Sequence, residues 1–151
     1  MIRSPFDIRN GWRFYQHPAF RQPFDRLTQD VGELRARLET AEFEQHPKTK
    51  LLARIVKLLL DDIPRDPNAA EYPLGNTLGS AGRHWRRAKF LQRYRLFFRF
   101  QTKAKIIVCA WLNDETTLRK TGATTDPYHV FAQRLASGHP PDDWDALLSE
   151  S

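Results

Sequence analysis

Apolar residues recur every three or four positions through the first third of the chain. Phe20, Phe24, Leu27, Val31, Leu34 and Leu38 share one face of a predicted helix, with Arg26, Asp30, Glu33, Arg35, Arg37 and Glu39 between them on the solvent side. Pro47 suits a first helical turn, and Leu51, Leu52, Ile55, Val56, Leu58, Leu59 and Ile63 predict a second helix with a broad apolar face, ended by Pro64. Joined by a short connection, the two should lie roughly antiparallel, each with a face to bury. Ahead of them, residues 1–10 read as a loose lead-in, and the aromatic run at 11–15 predicts a short strand broken by His17-Pro18.

Residues 64–84 are punctuated by Pro and Gly and predict a long loop. The period then changes from 3.6 to two. Strands are expected over 87–91, 93–100 and 106–113, the last two forming an antiparallel hairpin turned at 102–104. Residues 114–119 predict one helical turn. Thr125-Asp126-Pro127 opens a helix whose apolar side is Tyr128, Phe131 and Leu135 and whose stop is Gly138. A turn at 139–141 leads to a last short helix over 142–148. The expected fold class is α+β: two N-terminal helices packed on a small, mainly antiparallel sheet, with short C-terminal helices, as a single domain over 1–151. A chain of 151 residues fits one domain with its own core.

Charge adds the first functional information. The net charge is +6, but its distribution says more. From Tyr72 to Asn113 there is no acidic residue, and nine basic ones stand there: Arg83, Arg86, Arg87, Lys89, Arg93, Arg95, Arg99, Lys103 and Lys105. Such a block attracts a polyanion, and phosphate backbones are the commonest one. The plainer reading is a set of arginines that serves solubility. Alternation along the strand 93–100 places Arg93, Arg95, Phe97 and Arg99 on one face and Tyr94, Leu96, Phe98 and Phe100 on the other. The second face suits the two helices, leaving three guanidiniums about 7 Å apart on an open face. With a turn centred on Lys103, Arg95 faces Trp111 and Arg93 faces Asn113. Trp111 is then either core or a platform on which a base stacks beside held phosphates.

Other chemistry is sparse. The single cysteine, Cys109, reads as a small buried hydrophobe and excludes a disulfide framework. His17, His46, His84, His129 and His139 lack metal-ligand spacing, and no glycine-rich phosphate loop is present, so no metal or cofactor is expected. Asp114-Glu115, just past a strand, reads as a general base, a helix N-terminal charge or solvated acids. No apolar run reaches membrane-spanning length, and Met1 to Phe6 lacks the apolar centre of a signal peptide; the expected location is cytoplasmic, without membrane contact.

Several motifs together carry a resemblance. They are Asn10-Gly11-Trp12, His17-Pro18-x-Phe20, Arg93-Tyr94-Arg95-Leu96-Phe97-Phe98-Arg99, Trp111-x-Asn113-Asp114-Glu115-x-Thr117-Leu118-Arg119, Asp126-x-Tyr128-x-Val130-Phe131 and Gly138-His139-Pro140-Pro141-x-x-Trp144. In this order the chain resembles the RelE-like toxins of type II toxin–antitoxin systems, and more closely the YhaV toxins, over nearly its whole length.

The resemblance implies a metal-independent endoribonuclease that cleaves mRNA and inhibits translation, often at the ribosome. It also implies neutralisation by a PrlF-type, AbrB-like antitoxin, with DNA bound only through the complex. RelE-like enzymes activate the ribose 2′-hydroxyl against the neighbouring phosphate, so guanidiniums aimed at the developing oxyanion are the main resource. Carried over, Arg95 is the transition-state stabiliser; Lys89, Arg119 and Tyr128 match other catalytic positions, with Glu115 as a further catalytic candidate. Residues 120–125 are an insertion between Arg119 and Tyr128 relative to the short RelE pattern. Arg86, Arg87, Arg93, Arg99, Trp111 and Asn113 are the expected RNA-binding set. A non-catalytic RNA- or ribosome-binding module, or a structural interaction protein, would use the same basic sheet.

Overall fold

The computed structural model describes residues 5–151. Strand β1 (Asp7–Arg9) and strand β2 (Trp12–Gln16) form a hairpin turned by Asn10 and Gly11, both at positive φ. The expected lead-in is therefore a paired edge strand over part of its length; residues 1–4 lie outside the described residues. His17 caps α1 (Pro18–Arg37) by accepting from the Ala19 amide. A short α2 (Thr40–Gln45) leads to α3 (Pro47–Lys57), capped in the same way by His46. Pro64 does not end this helix at once. The chain widens into a π turn at Leu58–Asp62 and closes with α4 (Ile63–Arg65), which contains the proline.

After the loop come β3 (Arg86–Phe90), β4 (Tyr94–Gln101) and β5 (Ile106–Leu112). The sheet order is β1-β2-β5-β4-β3, antiparallel except where β2 lies parallel to β5 at its centre. The α+β class and the mainly antiparallel sheet are as expected; the parallel central pair was not. Leu96, Phe98, Ile107, Cys109 and Leu112 pack with Phe20, Leu27, Val31 and Ile55 of α1 and α3. The face carrying Tyr94, Leu96, Phe98 and Phe100 thus meets the N-terminal helices, as the alternation implies. Cys109 is fully buried there, and burial pushes its thiol far up, which keeps it an inert hydrophobe.

The opposite face is not open. α5 (Pro127–Ser137) and α6 (Trp144–Glu150) cover it and make a second core with Tyr15, Phe97, Val108, Ala110 and Trp111. Phe97 is the reason: it interrupts the arginine row with an apolar ring. Phe131 stacks on it at 4.2 Å, and Trp111, its partner across the β4–β5 ladder, stacks on it at 5.6 Å. A bulge at Phe97/Phe98 turns both Ala110 and Trp111 to this face. It also completes a two-residue shift from the expected register: Phe97, not Arg95, faces Trp111. Residues 114–119 form a turn rather than a helix, because the Asp114 carboxylate accepts from the amide of Thr116 and the hydroxyls of Thr116 and Thr117.

One buried histidine ties the two ends of the chain together. His17 is fully buried, its Nε2 3.0 Å from the Glu150 carboxylate. Burial holds its imidazole below the ordinary 6.5, outweighing the Glu150 carboxylate, which acts upward; His139 and Arg21 act downward. The contact is thus a hydrogen bond from a neutral ring. The unfolded chain takes up this proton near 6.5 while the folded chain does not, so stability is lost as pH falls below that value. Melting temperatures at about pH 7.5 and about pH 5.5 should differ, and His17→Asn should narrow the difference.

Candidate nucleic-acid interface

The cations meet at one end of the second face. Lys89 on β3 stands directly opposite Arg95 on β4, and Arg87 lies two residues along the same face of β3. Like charges placed directly across a ladder are destabilising unless something neutralises them. Tyr128, in the first turn of α5, is drawn into this group. Its hydroxyl oxygen accepts from Arg87 Nε and from Arg95 Nε, each at 3.0 Å. The Arg119 guanidinium lies 4.8 Å from the Tyr128 ring centre, and that of Arg95 lies 5.9 Å from it.

Each guanidinium is held by fixed partners. Arg95 is 6% exposed, and its Nη1 donates to the carbonyls of Gln92 and Tyr94 at 2.9 and 2.8 Å. The Gln92 carbonyl belongs to a turn in which Leu91 and Gln92 both take positive φ, a conformation costly for such residues. Arg87 Nη1 donates to the carbonyls of Tyr72 and Pro73. Among the described residues, Nη2 of both Arg87 and Arg95 makes no hydrogen bond. A cavity of about 640 Å³ borders Arg87 and Lys89 along the β3 edge.

Asp126 organises the remainder. One carboxylate oxygen accepts from Arg119 Nη1 at 2.6 Å and from the Lys120 amide, and the other caps α5 at the Tyr128 amide. It is the one carboxylate bonded to this cation group among the described residues. The Asp-Pro helix start was legible in the sequence; its ion pair with Arg119 was not, since the turn across 120–125 creates it. That insertion therefore does not separate Arg119 from Tyr128: the turn folds back and seats one on the other.

Arg93 is exposed and tethered by its Nε to the Arg119 carbonyl. Six expected residues thus gather: Arg87, Lys89, Arg93, Arg95, Arg119 and Tyr128. The others do not. Trp111 is 3% exposed and stacked in the core, which removes it as an open platform. Asn113 is 3% exposed, and its side chain bridges the Arg95 amide, the Arg93 carbonyl and the Thr117 carbonyl, continuing the ladder where β5 stops. It positions Arg95, and its side-chain polar atoms are taken up by these three bonds.

Arg99 lies 5.3 Å from the ring centres of both Trp85 and Trp144 and donates to the Asp142 carbonyl, pinning the C-terminal segment; burial holds its guanidinium below its usual range. Arg86 is half-buried beside Phe100 and donates to the carbonyls of Arg83 and Trp85. Glu115 lines a different cavity with Tyr94, on the helix side of the sheet.

Residues 14–151 match the sequence profile of the family Toxin_YhaV, described as a toxin with endonuclease activity, of toxin–antitoxin system. Two curated relatives from Escherichia coli are each 41% identical over 144 residues, covering 94% of this chain and 93% of theirs. They are "Toxin YhaV" of strain CFT073 and "Ribonuclease toxin YhaV" of strain K12.

Proposed function

The chain belongs to the YhaV family, toxins with endonuclease activity of toxin–antitoxin systems, and from that premise we propose that it cleaves mRNA at the ribosome and so halts translation and growth. The whole chain acts as one RelE-like toxin domain. The observation that carries this reading is the cross-strand pair Lys89–Arg95, joined by Arg87 and Arg119 around Tyr128 with, among the described residues, a single bonded carboxylate. Such a group is short of negative charge, and a phosphodiester supplies it.

In this reading the ribose 2′-hydroxyl attacks the adjacent phosphorus, its proton passing to water as the O–P bond forms, and the P–O5′ bond breaks as the 5′-oxygen takes a proton from Tyr128 or from water, leaving a 2′,3′-cyclic phosphate. The phosphorane gains charge between these events. Arg95 and Arg87, fixed through Nε and Nη1, offer their Nη2 groups to its oxygens without reorganising, which is where electrostatic catalysis is strongest. Tyr128 serves two guanidiniums as acceptor and still has its own hydrogen to donate, to a phosphoryl or leaving oxygen. Lys89, exposed at the sheet edge, adds a point charge, and Arg93 and Arg119 hold the neighbouring backbone. No metal takes part in this scheme.

The antitoxin is of the PrlF, AbrB-like type; an acidic segment of it lies across these cations, and DNA is reached only through the complex. The described residues include no helix long and apolar enough to cross a membrane, and mRNA as substrate places the protein in the cytoplasm.

The deciding experiment incubates purified protein with mRNA, with and without ribosomes. Cleavage leaving 2′,3′-cyclic phosphate ends supports the reading; tight binding with intact RNA in both arms replaces it with a non-catalytic module. A companion salt series should show affinity falling steeply, since bound phosphates release counterions. A flat dependence would remove the cation group as a backbone contact.

A further inference from the structure

A second cavity, of about 360 Å³, lies on the helix side of the sheet between α1, the start of α3 and the ends of β4 and β5. That volume falls in the ~300–1,000 Å³ range of small-molecule sites. Its apolar part comes from Leu27, Leu51, Leu112 and the ring of Tyr94, and its polar rim includes His46 and Glu115. We propose that this cavity receives a guanine base of the RNA strand whose phosphates the Arg95 group holds, with Glu115 and His46 reading its edge and the Tyr94 ring stacking on it. The inference rests on the ribonuclease reading above.

Position connects the two sites. Tyr94 and Arg95 are consecutive on β4, so their side chains leave opposite faces of the same strand end. Asn113 lines the cavity while its side chain fixes the Arg95 amide. The β3–β4 turn between them carries Leu91, 48% exposed. A single strand crossing this turn keeps its backbone on the cations and turns a base into the cavity. Single-stranded RNA is read in this way, by splayed bases stacked on aromatics and bonded at their edges.

The rim chemistry selects the base. Glu115 is exposed and, among the described residues, its carboxylate has no hydrogen-bond or ion-pair partner. An ionised carboxylate only accepts, so it fits two adjacent N–H donors. Of the four bases, guanine alone offers that pair, N1–H beside the N2 amino group. His46 Nδ1 already accepts from the Lys48 amide at 3.1 Å, so its neutral ring carries hydrogen on Nε2. That donor matches guanine O6. Burial, with Glu115 and Asp114 nearby, pushes the Tyr94 hydroxyl up and keeps it a neutral donor. Lys48 is occupied by Asp30 at 2.8 Å, which forms a neutral wall instead of a phosphate site.

The test uses fully 2′-O-methylated oligouridylates, which cannot be cleaved, carrying one central guanosine, inosine, adenosine or cytidine. Fluorescence anisotropy on purified protein should show guanosine binding about tenfold tighter or more, with inosine between it and the others. Glu115→Gln should erase the preference at unchanged melting temperature, and Tyr94→Leu should weaken all four. Equal binding of guanosine and adenosine to the wild type overturns the proposal, as does a Glu115→Gln protein that keeps the full preference. So does a Glu115→Gln protein that loses antitoxin affinity while its base preference persists, which would make the cavity a protein-docking site. Unmodified RNA separates the two readings: cleavage without base preference defeats only this inference, and guanine preference without cleavage defeats only the ribonuclease reading.

Discussion

Arg95→Ala is expected to lower the RNA cleavage rate by about 10²–10³-fold and to abolish growth arrest, the loss typical of one preorganised oxyanion donor. The guanidinium is aimed by three hydrogen bonds, to Tyr128, Gln92 and Tyr94, and by the Asn113 side chain on its backbone amide. Its loss removes a group already in place. RNA affinity should fall only modestly, with the salt slope reduced by about one. Arg95→Lys keeps the charge but not the planar fork, so binding should recover more than rate. A melting curve is the necessary control, because the substitution also strips partners from two carbonyls. A folded Arg95→Ala protein that cleaves at the wild-type rate would remove Arg95 from the mechanism and turn attention to Arg87, Lys89, Arg119 and Tyr128.

Phe131→Ala should give the largest loss of stability, about 3–5 kcal/mol, the usual range for deleting a buried ring. Phe131 is fully buried, stacked on Phe97 at 4.2 Å, edge-on to Trp85 at 5.0 Å and stacked on Trp111 at 5.9 Å. Such a cost is a large share of the ~5–15 kcal/mol that holds a domain folded. Because Phe131 lies one turn beyond Tyr128 on α5, loosening it should release the Tyr128 hydroxyl from Arg87 and Arg95. Urea unfolding checks the first effect. Cleavage measured well below the new melting temperature checks the second: a wild-type rate there would show that α5 does not need this core to place Tyr128. Phe131→Leu, which refills much of the volume, should recover most of both.

The arginine pattern shows where reading a sequence stops. Period two correctly separates Leu96 and Phe98 from Arg95 and Phe97, because side chains alternate whatever lies above the sheet. It does not reveal which face remains open. Phe97 among three arginines was the available signal that something apolar covers that face, and α5 and α6 supply the cover. With the cover in place, one row of like residues divides by position. Arg95 is aimed at Tyr128, Arg99 is clamped between Trp85 and Trp144, and Arg93 stays exposed. Trp111 becomes core for the same reason. Its partner also depends on a bulge, an added residue that local pattern does not announce.

The sequence by itself determined most of the local elements, though not β1, α2 or the turn at 114–119, as well as the face of β4 that meets the N-terminal helices, the acid-free basic block and, through motifs spread along the chain, the family. These follow from nearest neighbours: period, caps such as Asp126, stops such as Gly138, and the sum of charges. Only the tertiary structure decided the parallel pairing of β2 with β5, the covering of the second face, and the meeting of Arg87, Arg95 and Arg119 on Tyr128. It also sent Glu115 to the other side of the sheet. Those outcomes depend on contacts between residues far apart in the chain, and a hydrogen bond such as Arg95 to Tyr128 exists only once the packing of Phe131 on Phe97 has brought its two ends together.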